Sequence, residues 1–125
     1  MTIQQIIDMT DSTKANMMPR NVKVMFLNEI ENKVHQEILM KHVHSAEDEE
    51  PPVYDDTTDG STQMLVPDAY ASLYWYWLYI KIDQLNQEPD KEYNDNERFR
   101  AAWEDFSDWY TREHTPMTSF DRYII

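Results

Sequence analysis

Cysteine is absent from the 125 residues, which removes disulfides, thiolate metal centres and thiol nucleophiles together. That absence fits a reducing compartment. Glycine occurs once, at Gly60. One glycine excludes the Walker-type phosphate loop, the dinucleotide fingerprint and the nucleophile elbow, each of which needs several. It also speaks against an all-β fold built on many tight turns. No apolar stretch approaches the ~18 residues that a membrane span requires. The richest, Leu73 to Ile80, is short and crowded with aromatic rings. The opening MTIQQIIDMTDS has neither the basic start nor the apolar run of a secretory signal, so none is expected.

Basic residues are scarce as well. Eleven Lys and Arg stand against 24 Asp and Glu, a formal net charge of -13. Phosphate backbones and anionic membranes are therefore disfavoured as simple electrostatic partners, since both need a basic surface. The imbalance is local. Residues 1–42 carry five basic and five acidic side chains, residues 43–70 carry eight acidic and none basic, and residues 71–125 carry six basic and eleven acidic. The middle segment is chemically distinct. A chain of this length favours one domain and can bury about two-thirds of its unfolded surface without staples.

What is present is helical periodicity. Thr2 is placed to cap a first helix from Ile3 to about Met9, with Ile3, Ile6 and Ile7 on one face. Pro19 suits the first turn of a second helix reaching about His42. Its stripe is Leu27, Ile30, Val34 and Ile38, in steps of three and four, widened by Phe26 and Leu39. Glu29–Lys33 and Glu37–Lys41 are i,i+4 pairs in the favourable order. A third helix is expected from Pro67–Asp68 to about Gln87, burying Tyr70, Leu73, Tyr74, Trp77, Ile80 and Leu85. Trp75, Tyr76, Tyr79 and Ile82 would lie largely elsewhere. A fourth runs from about Asp90 to His114, with Phe99, Ala102, Trp103, Phe106, Trp109 and Tyr110 as its stripe, and Pro116 stops it.

Residues 43–66 break the pattern with Glu47 to Glu50, Pro51–Pro52 and a turn-forming run around Gly60. Two short extended pieces, Pro52–Tyr54 and Gln63–Val66, could pair as a hairpin. A loop this long is more often functional or mobile than idle, and it is expected to project and to serve between subunits. The fold class is thus mainly α: a small four-helix, bundle-like domain over residues 1–116, with an acidic loop or short hairpin at 43–66 and a C-terminal arm at 117–125.

Candidate chemistry is thin. Asp55-Asp56-Thr57-Thr58-Asp59-Gly60 resembles the start of a calcium loop, but Val66 stands where the bidentate Glu is needed, so an Asp/Thr/Gly turn explains it better. His35, His42, His44 and His114 form no HExxH pattern and have no Cys to complete a zinc set. Glu104, Asp105 and Asp108 suit a solvated helix face. No catalytic group, metal or cofactor is expected. The band Tyr74-Trp75-Tyr76-Trp77 could stack bases but lacks a basic groove. Core plus protein interface suits it better, with Trp75, Tyr76 and Tyr79 as partner-binding residues. The tail supplies the other candidates: Phe120, Tyr123, Ile124 and Ile125, too few to build a core of their own.

The order of motifs resembles a known group. A long helix with Phe26-Leu27-Asn28-Glu29-Ile30 precedes an acidic insert. Then come Met64-Leu65-Val66-Pro67 with Tyr70 and Leu73-Tyr74, and Tyr93-Asn94 with Phe99. Last is Phe106-Ser107-Asp108-Trp109-Tyr110-Thr111-Arg112. Over roughly residues 2 to 116 this is similar to the head–tail connector, or adaptor, proteins of tailed bacteriophages. The resemblance implies a homo-oligomeric ring, commonly a dodecamer, in the virion neck. Its partners would be the portal protein and tail or neck proteins. DNA would only pass through the channel, and no membrane is involved. Such adaptors are made in the host cytoplasm and often grip the portal with a C-terminal extension. Two other readings stand beside it. One is an acidic inhibitor or DNA mimic bound to a host protein, although eight of the acids sit in one segment. The other is a regulator docking through the third helix.

Overall fold

The computed structural model describes residues 1–117. Within them lie four α-helices: α1 (Ile3–Thr13), α2 (Arg20–Glu37), α3 (Ser72–Leu85) and α4 (Pro89–Glu113). Short 3-10 turns occupy Leu39–Lys41, Ala46–Asp48 and Asp68–Tyr70. None of these helices is long and apolar enough to cross a membrane.

α1 starts on a capping box, with Thr2 accepting from the Gln5 amide at 3.1 Å and the Gln5 side chain accepting from Thr2 N–H at 2.9 Å. It continues one turn beyond the expected end at Met9. The hydroxyls of Thr10 and Thr13 bond back to Ile6 and Met9 carbonyls at 2.9 and 2.6 Å, and buried Thr10 extends the Ile3–Ile7 face. A stretch that looks polar in sequence therefore stays helical.

Pro19 lies just outside α2 as its N-cap, its carbonyl accepting from Val22 and Lys23. The stripe Leu27, Ile30, Val34 and Ile38 is fully or almost fully buried. α2 stops at Glu37, short of His42, and the chain tightens into a 3-10 turn. Buried His42 holds that turn, with Nδ1 2.6 Å from the Ile38 carbonyl. Glu29 pairs with Lys81 of α3 at 3.6 Å instead of with Lys33, whose ammonium lies 5.8 Å from the Trp77 ring centre.

α3 and α4 form an antiparallel pair with the most extensive contact in the fold. Asn86 N–H bonds to the Ile82 carbonyl, Gln87 takes a left-handed φ of 54°, and Glu88 N–H returns to Asp83, a compact reversal. Pro89 then opens α4, where a missing N–H costs nothing. α3 buries Leu73, Tyr74, Leu78, Ile80 and Ile82. Two expectations fail here: Ile82 is in the interior, and Leu85 is 57% exposed. A helix apolar on every side gives periodicity no phase, and Leu85 is the last residue of α3, just before the reversal.

Residues 43–66 form a loop, and the two extended pieces do not pair with each other. Gln63 instead bridges Thr2, with Ile3 N–H to Thr62 O at 3.0 Å and Met64 N–H to Met1 O at 3.0 Å. Nor does the whole loop project. Tyr54, Met64 and Val66 belong to the core, while Glu47 to Pro51 and Val53 face water. Gly60 permits this docking by close approach. A Cβ there would sit 3.1 Å from Gln4 Cβ, and Gly60 O accepts from Gln4 N–H at 2.9 Å. The start of the tail folds back as well. Val43 N–H bonds to Thr115 O, and Met117 N–H to Lys41 O, each at 2.8 Å.

Candidate functional site

Of the residues expected to bind partners, Trp75, Tyr76 and Tyr79 lie along one flank of α3 and are half-buried. The Trp75 and Tyr76 ring centres are 6.2 Å apart, and Tyr76 meets Tyr79 edge-on at 5.8 Å. The Tyr79 hydroxyl bonds to Thr13, and the Lys14 ammonium lies 5.0 Å from its ring centre. Phe120, Tyr123, Ile124 and Ile125 lie outside the described residues. The segment leading to them is fixed by a bridge between His42 and Pro116, and His114 stacks on Tyr110 at 3.7 Å.

A second aromatic surface lies between α2, α3 and α4. Trp77, Phe99 and Trp103 line a groove of about 300 Å³, with Lys33, Glu37 and Arg100 at its edges. Ring centres are 5.2 Å apart for Trp77 and Phe99 and 5.9 Å for Phe99 and Trp103. The Trp77 indole N–H is buried and has no acceptor among the described residues. All three rings were assigned to helix stripes from sequence. The structure leaves all three half-exposed, where the three helices meet the groove.

Two polar clusters escaped the sequence reading. Glu31 is completely buried. Its Oε2 accepts from Tyr54 OH at 3.0 Å and from Leu65 N–H at 2.9 Å, and its Oε1 accepts from Tyr74 OH. The Tyr74 oxygen in turn accepts from Val66 N–H at 3.0 Å. Burial pushes the Glu31 carboxyl upward even against these donors, and burial together with the Glu31 charge raises both phenols. Both carboxylate oxygens are engaged within the chain, so the cluster ties the loop to α2 and α3. The sequence signal was there: Glu31 falls between Leu27 and Val34 on the buried stripe.

The other cluster joins the end of α1 to the α3–α4 junction. Lys14 Nζ lies 2.6 Å from Asp83 Oδ1 and 2.8 Å from Asp95 Oδ2, and Arg98 reaches Asp95 at 3.0 Å. Asp83 Oδ2 is buried without a partner among the described residues. Burial, and then a hydrogen bond from its neutral form to Asp95, push Asp83 up to about 6. Burial acts upward on Asp95 too, but bonds from Asp83, Lys14 and Arg98 outweigh it and hold that carboxyl low.

The acidic turn uses its carboxylates on itself. Asp55 accepts from the Thr57 hydroxyl at 2.6 Å and its N–H at 2.9 Å, and Asp59 from the Ser61 N–H and hydroxyl at 2.8 Å, which lowers both. Among the described residues no group of three or more His, Asp or Glu side chains is placed to hold a metal ion. No protein-family model, curated protein or solved structure matches the chain.

Proposed function

We propose that this protein is a structural adaptor, a head–tail connector of a tailed bacteriophage that forms a ring under the portal, extends the DNA channel and docks the tail. The observation that supports a binding role is the aromatic surface left half-covered on both flanks of α3: Trp75, Tyr76 and Tyr79 on one, Trp77 with Phe99 and Trp103 on the other. Tyrosine and tryptophan bury large areas at low entropic cost and serve as interface anchors. The neck location rests on the motif resemblance. In this reading the tail residues Phe120, Tyr123, Ile124 and Ile125 contact the portal, and the role is structural, not catalytic.

The test is a mass measurement of the purified protein alone and after co-expression with the portal protein of the same genome. A ring, formed alone or only on the portal, is the expected result. Failure to bind the portal, with no ring under either condition, refutes the connector reading.

A further inference from the structure

Resting on that reading, we infer that neighbouring copies join head to tail, with the acidic, proline-bearing segment 47–53 of one copy lying in the aromatic groove between α2, α3 and α4 of the next. The donor segment is Glu47-Asp48-Glu49-Glu50-Pro51-Pro52-Val53, and Val53 is 75% exposed. Two prolines fix their own φ and push the residue before each toward extended backbone. Pro51 to Val53 approach polyproline II at small entropic loss, while Glu47 and Asp48 close the preceding 3-10 turn, with the Asp48 carbonyl held by His35. Aromatic-lined grooves are the surfaces that accept this conformation. Here the groove has Trp77, Phe99 and Trp103 on its wall, and Trp77 brings an indole N–H that lacks an acceptor.

Charge supports the same pairing. Lys33 and Arg100 against Glu37 give the groove lining a net charge of +1, on a chain whose total is -13. Carboxylates lie close by: Glu97 is 3.7 Å from Arg100, and Glu29 is 3.6 Å from Lys81, whose ammonium is 4.5 Å from the Trp77 ring centre. The Arg100–Glu97 contact is long and exposed, and four consecutive acids at 47–50 can compete with it.

Placement on α2 makes the contact intermolecular. At about 100° per residue, Lys33 and Glu37 lie within about 40° of each other, while His35 lies about 160–200° away. His35 is where the acidic segment attaches, its Nε2 2.7 Å from the Asp48 carbonyl. Donor and acceptor therefore occupy opposite flanks of one helix, and a copy does not fill its own groove. A heterologous contact of this kind repeats, and closes into a ring if its rotation allows.

The test is a charge exchange. One variant carries Lys33→Glu with Arg100→Glu, the other Glu47→Lys with Glu50→Lys. Both are followed by sedimentation from micromolar to millimolar concentration at low salt, with folding checked by circular dichroism. The wild type should associate, and each variant alone should associate at least about tenfold more weakly. An equimolar mixture should recover, because the acidic loop of the first meets the basic groove of the second, and the reversed loop meets the reversed groove. Variants that associate like the wild type overturn the inference while leaving the connector reading intact. A wild type that stays monomeric throughout also overturns it, and the connector reading then answers separately to the portal measurement.

Discussion

Asp83→Asn removes one ionisable group from the junction of α1, α3 and α4 while keeping its size. In the folded chain Asp83 titrates at about 6, against 3.8 for an unperturbed carboxyl. A group raised on folding contributes stability that is fully present below the unfolded value and is lost as pH rises through the folded one. The difference corresponds to about 3 kcal/mol in all, of which about 1 kcal/mol is lost between pH 5 and pH 7. Asp95, held low, works in the opposite sense but only at more acidic pH, so it does not interfere in that window. The net charge of -13 also softens as acid is added, but it does so alike in both proteins. The assay is urea unfolding of wild type and variant at pH 5 and pH 7. The wild type should gain about 1 kcal/mol more than the variant on going to pH 5. Equal pH dependence in the two proteins would refute the account of Asp83, as would a carboxyl resonance that titrates near 4.

Four further outcomes are expected. Ile30→Ala, at a completely buried position, should lower unfolding free energy by about 2–5 kcal/mol in chemical denaturation, and an unchanged midpoint would place that face wrongly. Tyr74→Phe leaves the buried Glu31 carboxylate and the Val66 amide each short of a partner, and should destabilise by about 1–3 kcal/mol. Hydrogen exchange should be slow at Leu65 and Val66 and fast at Glu50 and Val53, and uniform rates across the loop would contradict the packing described. Removal of residues 118–125 should leave the melting temperature unchanged and abolish portal binding, whereas full binding by the truncated chain would dismiss the arm.

The helices were legible because polar residues marked their outer faces. α2 is the clearest case: Leu27, Ile30, Val34 and Ile38 could be read as one stripe, and the structure buries all four. α3 was legible as a helix but not in phase, since it carries apolar side chains all round. The loop was legible in extent and charge but not in destination. Gln63 pairs with Thr2, far away in sequence, and a short extended piece says nothing about which distant backbone it will meet. The aromatic candidates were found from composition, but the groove depends on three helices meeting, and no single stretch encodes that. The buried carboxylates were missed for a related reason. In an acidic chain, a Glu31 or Asp83 that belongs inside is masked by the many carboxylates that stay in water.

The three donors around Glu31 also determine how this protein comes apart. Tyr54 and Leu65 belong to the loop and Tyr74 to α3, while the acceptor sits on α2. If the lower loop peeled away with the helices intact, a buried carboxylate would lose two donors, at about 1–3 kcal/mol for each unmet group. Partly assembled cores suffer the same penalty during folding. Detaching Tyr54 or Leu65 thus carries a penalty that detaching the exposed Glu49 to Pro51 does not.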